Sequence, residues 1–351
     1  MDRPEEAERV EMAKHAIHSD FKWLRFAPNF ANEPRLRLYN RIYRLLFRLT
    51  SVPKGIKASD HTIKGYGGRA MQVLTFRPKD LSPGAPCLVY FHGGGLFAEA
   101  LPLQKQLACR YAQEAECVVV FPQYAVSVDA PFPAGLEDCY AALVWAKDHA
   151  STLGIAPDRI AVGGDSAGGS MAACVSQLAL DRKSVVPCFQ LLVYPVCDHR
   201  MSTASMSAFT DTPVWNTANT HLMWKLYLNG HENAPPYTSA QQRADLSGLP
   251  NAYIETAEFD PLRDEGNNYA GRLKEAGVTV ELNETKGTVH GYDAIASSGI
   301  TKANVQRRIQ ALRRAFGGGS VGVEQAVRTG VPPSPSYRTP SDAIATPQRA
   351  K

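Results

Sequence analysis

Two hydrophobic signatures alternate along the chain. Cys87–Phe91, Cys117–Phe121 and Ile160–Val162 are continuous apolar runs, and Phe189–Tyr194 is a further strand candidate broken only by Gln190, none of them with polar alternation. Between them, Leu103–Glu114, Pro133–His149 and Ser166–Leu180 carry apolar residues at helical spacing. Continuous apolar strands separated by helices are what a parallel sheet covered on both faces requires. Ala252–Glu255 and Val278–Leu282 extend the series, with a helix over Leu262–Ala276 stopped by Gly277 and a last helix over Lys302–Phe316. The pattern predicts parallel strands near residues 87, 117, 160, 189, 252 and 279, an α/β class. Ahead of them, His61–Lys64 and Met71–Arg77 flank Gly65-Tyr66-Gly67-Gly68 and read as an antiparallel pair.

Three stretches depart from this rhythm. Residues 197–246 are polar and irregular, with a helix expected at Thr217–Leu228 and scattered aromatics (Phe209, Trp215, Trp224, Tyr227). An insertion of that length above a parallel sheet is expected to be a lid. Residues 1–55 are expected to be a helical cap segment. Within it Arg37, Arg41, Arg44 and Arg48 form one helical stripe, and Leu38, Ile42, Leu45, Leu46 and Leu49 fill another face. That helix fits either a membrane surface or, as the simpler expectation, a solvated arginine face on a helix packed over the main domain. From Gly317 to Lys351, Gly, Pro and Ser dominate, and a disordered tail is expected. The α/β domain itself is assigned to 56–316.

Composition adds limits. The chain has 351 residues, 44% hydrophobic and 21% charged, as in an ordinary globular protein. A net charge of +4 gives no argument for nucleic acid. No apolar run approaches the ~18 residues of a membrane span. The N-terminus is acidic without an apolar core, so a cytoplasmic location is the default expectation. Seven cysteines, none in C-x-x-C spacing, read as reduced core residues rather than a disulfide framework or metal site. A homodimer is left open.

Candidate chemistry centres on Gly164-Asp165-Ser166-Ala167-Gly168, a G-x-S-x-G turn between a strand and a helix. Taken alone, Ser166 is equally a nucleophile or a turn residue. His92-Gly93-Gly94-Gly95 also follows a strand, and the amides of Gly93, Gly94 and Gly95, with that of Ala167, are candidates for an oxyanion hole. A ligand-free glycine turn is the other reading. Asp260, before Pro261, is either a helix cap or an acid that orients an imidazole. His290 follows the last strand, as a solvated loop histidine or a general base. The order Ser166, Asp260, His290, each at a strand end, favours a serine-hydrolase triad.

With HGGG (92–95), PFPAGLEDCYAAL (131–143), DRIAVGGDSAGG (158–169), YPV (194–196), DPLRDEG (260–266) and HGY (290–292), the chain resembles the hormone-sensitive lipase-like family of α/β-hydrolases over Lys64–Phe316. The resemblance implies an α/β-hydrolase fold with a helical cap, Ser166 as nucleophile, Asp260 as acid and His290 as base. It implies hydrolysis of small carboxylic esters with short or medium acyl chains and no cofactor. Amide hydrolysis or acyl transfer by the same triad, and ligand reception on the same scaffold, are the alternatives; a histidine at 290 argues against reception. Tyr124-Ala125-Val126-Ser127-Val128-Asp129 stands where the family often has Tyr-Arg-Leu-Ala-Pro-Glu, which bears on the substrate rather than on the triad.

Overall fold

The computed structural model describes residues 15–27, 33–231 and 233–317. Of the expected tail only Gly317 is described; its remainder, and the first fourteen residues of the expected cap segment, lie outside the described residues. In chain order, a 3-10 helix at Ser19–Phe26 precedes α1 (Glu33–Leu49), β1 (Ile56–Lys64), β2 (Ala70–Pro78), β3 (Ala85–Phe91) and α2 (Pro102–Glu114). Then come β4 (Val118–Pro122), α3 (Ala134–Asp148), α4 (Ala150–Leu153), β5 (Ile155–Asp165), α5 (Ala167–Asp181) and β6 (Gln190–Val193). After α6 (Ala204–Ala208) and α7 (Thr217–Leu228), the sheet resumes with β7 (Ala252–Phe259), α8 (Arg263–Glu275), β8 (Val280–Val289) and α9 (Gly299–Ala315).

One eight-stranded sheet runs β1-β2-β4-β3-β5-β6-β7-β8. Only β2 opposes its neighbours, pairing antiparallel with β1 and β4; β4 onward through β8 is parallel. This is the α/β-hydrolase architecture, and six parallel strands fall where the apolar runs predict. Side-chain alternation explains why those runs are uninterrupted. Cys87, Val89 and Phe91 of β3 pack on one face with Leu136 and Cys139 of α3, Met171 and Val175 of α5 and Leu273 of α8. Leu88 and Tyr90 pack on the other, with Tyr111 of α2 and Val305, Ile309 and Leu312 of α9. Each such fully buried side chain contributes roughly 1.5–3 kcal/mol.

Strand ends differ from expectation at the sheet's two edges. β1 starts at Ile56 rather than His61, and β8 runs to Val289 rather than ending at Leu282. Both are edge strands, whose outer side chains meet water, so Lys57–Thr62 and Asn283–Thr288 carry no apolar signal. The longer β8 also extends β7 to Phe259, through pairs such as Ala257–Thr285 and Phe259–Val289.

Helix α1 packs over the domain with its four striped arginines exposed, as the simpler expectation has it. Leu36, Asn40 and Phe47 are buried against the domain. The Asn40 amide donates to the Phe97 carbonyl (2.8 Å) and its oxygen accepts from the Glu99 amide (3.0 Å). Glu99, itself buried, accepts from Arg44 at 2.5 Å, and Arg37 donates to the Val128 carbonyl at 2.7 Å. Two of the four arginines thus tie the helix down, and the leucines turn outward: Leu38 is 56%, Leu45 57% and Leu49 72% exposed.

Between Cys197 and Leu246 the described residues contain no strand, and α7 lies where its helix is expected. All seven cysteines are unpaired, and all but Cys188 are buried.

Candidate active site

Ser166 sits between β5 and α5 with φ 56° and ψ −118°, a conformation a side-chain-bearing residue holds only under constraint. Two contacts supply it. The Ser166 amide donates to the Val193 carbonyl at the end of β6 (2.8 Å), and its carbonyl accepts from the Ser170 amide (3.1 Å). Crossing strand and helix must also pass very close. A Cβ at Gly168 would strike the Phe91 carbonyl, and one at Gly164 the Gly168 backbone, so no larger residue fits either side of the turn.

The hydroxyl meets a buried relay. Ser166 Oγ lies 2.8 Å from His290 Nε2, and His290 Nδ1 lies 2.7 Å from Asp260 Oδ2. Ser166 and His290 are each 4% exposed and Asp260 is fully buried. Asp260 is not the helix cap, which is Leu262: its Oδ1 accepts from the Leu262 amide at 2.9 Å in the turn before α8, while Oδ2 faces the imidazole. The His290 ring stands between Tyr194, centroids 4.7 Å apart, and Trp215 of the insertion, 5.7 Å apart.

The His92–Gly95 turn follows β3 directly. Gly94 (φ 123°) and Gly95 (φ 59°) occupy backbone conformations that favour glycine. Asp165, adjacent to Ser166, braces the turn from below: its carboxylate accepts from Tyr90 (2.7 Å) and Gln104 (2.8 Å) and lies where a Cβ at Gly93 would fall. Burial raises its pKa above the ordinary carboxylate value, and those donors oppose the rise. His92 is fully buried with its pKa pushed down to about 4 by burial, so its ring is neutral at neutral pH; it stacks on Tyr124, whose hydroxyl donates to the His92 carbonyl (2.6 Å). Gly95 lies against the Trp215 ring, which stacks at 6.1 Å on Phe97. Gly93 thus lies against Asp165 and Gly95 against Trp215, so the His92–Gly95 turn borders the residues around Ser166.

Sequence reasoning missed the groups behind the imidazole. Tyr194 donates to Asp293 (2.7 Å), Asp293 accepts from Arg308 (2.6 Å), and Arg308 pairs with Glu255, which also accepts from Tyr292 (2.7 Å). Arg308 and Glu255 are fully buried. The available signal was Arg308 itself, a cation spaced three and four residues from Val305 and Leu312 on the apolar stripe of α9. Asp165 was equally legible within GDSAG but was given no role.

One buried acid is under-partnered. Glu265 Oε1 accepts from the Cys197 amide at 2.7 Å, while Oε2 has no protein partner. Burial lifts its pKa well above the ordinary 4.5. The folded chain thus binds this proton more tightly than the unfolded chain. The resulting stabilisation is complete below an ordinary pKa of 4.5 and fades as pH rises toward the folded-state value. Glu265→Gln should therefore gain melting temperature relative to the unsubstituted chain as pH rises from about 5 to about 8. Melting profiles that run parallel across that range would refute the assignment.

The comparisons agree with this geometry. A family model described as alpha/beta hydrolase fold matches residues 88–294. The carboxylesterase NlhH of Mycobacterium tuberculosis is 39% identical over 268 residues, 74% of this chain and 83% of that protein. The carboxylic ester hydrolase LipN of the same organism is 36% identical over 266 residues, 74% of this chain and 70% of LipN. Among solved structures, esterase LipW from Mycobacterium marinum superposes with TM-score 0.79 at 32% identity, covering 86% of this chain and 96% of its own. A bacterial heroin esterase gives 0.78 at 32%, covering 86% and 98%. By fold, by motif and by these relatives, the chain belongs to the α/β-hydrolase fold family, in its hormone-sensitive lipase-like branch.

Proposed function

We propose that the chain is a serine carboxylesterase acting through an acyl-enzyme. The observation that carries the reading is the unbroken line Ser166 Oγ, His290 Nε2, His290 Nδ1, Asp260 Oδ2, with links of 2.8 and 2.7 Å. His290 takes the Ser166 proton as Oγ attacks the ester carbonyl, and Asp260 holds the ring and stabilises its cation. Amides among Gly93, Gly94 and Gly95, with that of Ala167, receive the oxyanion, aided by the N-terminal end of α5. His290 returns the proton to the departing alcohol, and a water activated by the same imidazole releases the acyl group.

Residues 197–246 act as part of the cap in this reading, because Trp215 stands over both the glycine turn and His290. Trp215 and Phe97 narrow the space beside Gly95, which supports short to medium acyl groups. Unpaired cysteines fit the reducing compartment expected from the sequence.

A panel of chromogenic esters from acetyl to dodecanoyl tests the proposal. Turnover should peak among the shorter acyl chains; no turnover of any member would overturn it. Trp215→Ala should move the peak toward longer chains, with kcat/KM for the best short ester falling about tenfold as packing on the acyl group is lost. An unchanged profile would remove Trp215 from the acyl wall.

A further inference from the structure

Helix α1 presents an apolar stripe that the described residues leave exposed. At about 100° per residue, Leu38, Ile42, Leu45 and Leu49 project within about 60° of one another, along roughly 16 Å of helix. All four are exposed, from 42% at Ile42 to 72% at Leu49, and Leu46 beside them is 44% exposed. The buried residues Leu36, Asn40 and Phe47 lie on the opposite side. The stripe is therefore not a core face caught at a boundary; the helix has a separate inner face that packs on the domain.

Charge selects the occupant. The helix carries five arginines (35, 37, 41, 44 and 48) and one acidic residue, Glu33. Exposed Arg41 and Arg48 project next to the stripe. Two copies packed stripe to stripe would crowd these cations together. A surface of anionic lipid supplies both the apolar medium and the counter-charge. Trp23 and Phe26, each 62% exposed, add aromatic surface in the preceding segment, under Lys22 and Arg25 respectively.

We propose that α1 is a docking element for anionic lipid surfaces. It lies in the interface plane with its leucines in the acyl boundary and its flanking arginines at the headgroups. Asn40 ties the inner face of the same helix to Phe97 and Glu99, just beyond the His92–Gly95 turn, so docking holds the cap end of the protein at the surface. On the esterase reading above, esters dissolved in that surface are then presented close to Ser166.

Co-sedimentation of the full chain with vesicles of phosphatidylcholine, with and without phosphatidylglycerol, tests this. The chain should sediment with phosphatidylglycerol-containing vesicles and be released as ionic strength rises. A Leu45→Ser/Leu49→Ser pair should weaken binding by about tenfold or more, from lost apolar burial. An Arg41→Gln/Arg48→Gln pair should lose about tenfold and with it the preference for phosphatidylglycerol. All variants should keep full turnover of a water-soluble ester, which also reports that they fold. Failure of the unsubstituted chain to sediment, or equal binding by the leucine pair, would overturn the proposal. So would a leucine-dependent dimer without vesicle binding, which assigns the stripe to a second copy. Because sedimentation does not require turnover, failure here and failure of the esterase reading are separable.

Discussion

Ser166→Ala should lower kcat/KM for a short chromogenic ester by about 10⁴-fold or more while leaving the melting temperature nearly unchanged. The separation follows from how the residue is held. Its strained backbone is fixed by main-chain bonds to Val193 and Ser170 and by the close crossing at Gly164 and Gly168, none of which uses the side chain. Among the described residues the hydroxyl has one polar partner, His290 at 2.8 Å. Removing it abolishes the covalent route and leaves the remaining parts in place. A residual rate from substrate binding and the amides around Gly93, Gly94, Gly95 and Ala167 should persist above that in water. Retention of more than about a tenth of the activity would show that another nucleophile operates.

The largest stability effect is expected at Arg308. Its guanidinium is fully buried and bonds Glu255 and Asp293, which in turn are held by Tyr292, Tyr253 and Tyr194. Arg308→Met keeps most of the volume but strands two buried carboxylates without their cation. Breaking a buried pair in this way costs about 3–5 kcal/mol, because the partner charges are left unpaired in low dielectric. Urea unfolding should report the loss as a lower midpoint. Arg308→Lys should fall between the two, since one ammonium cannot serve both carboxylates in the forked geometry. An unfolding free energy within about 1 kcal/mol of that of the unsubstituted chain would mean that these acids are protonated or re-paired when the arginine is lost. Turnover should also fall in the folded fraction, because Tyr194 links this network to the face of the His290 ring.

What the sequence disclosed follows from where each residue sits. Strands in the middle of the sheet are buried on both faces, so Cys87–Phe91 and Cys117–Phe121 announce themselves as unbroken apolar runs. β1 and β8 lie at the edges, and their polar halves carry no such mark. Ser166, Asp260 and His290 were legible because each belongs to a short motif at a strand end, in a fixed order. Trp215 was not, because an irregular insertion gives no periodicity from which to place one aromatic over a distant histidine. The orientation of α1 was also hidden. An amphipathic pattern says that a helix has two faces, and the burial of Asn40, with its two bonds to Phe97 and Glu99, decides which one turns inward. Arg308 was visible as a charge on an apolar stripe, but its partners Glu255 and Asp293 lie 53 and 15 residues away.

The central claim is that Ser166 carries the acyl group. It is tested most directly by rapid mixing of the chain with a p-nitrophenyl ester, followed by acid quench and peptide mass analysis. An initial burst of about one nitrophenol per chain should coincide with an acyl adduct on the peptide containing Ser166, with neither seen in Ser166→Ala. Steady ester hydrolysis with no adduct on that peptide, or an adduct on a different residue, would contradict it.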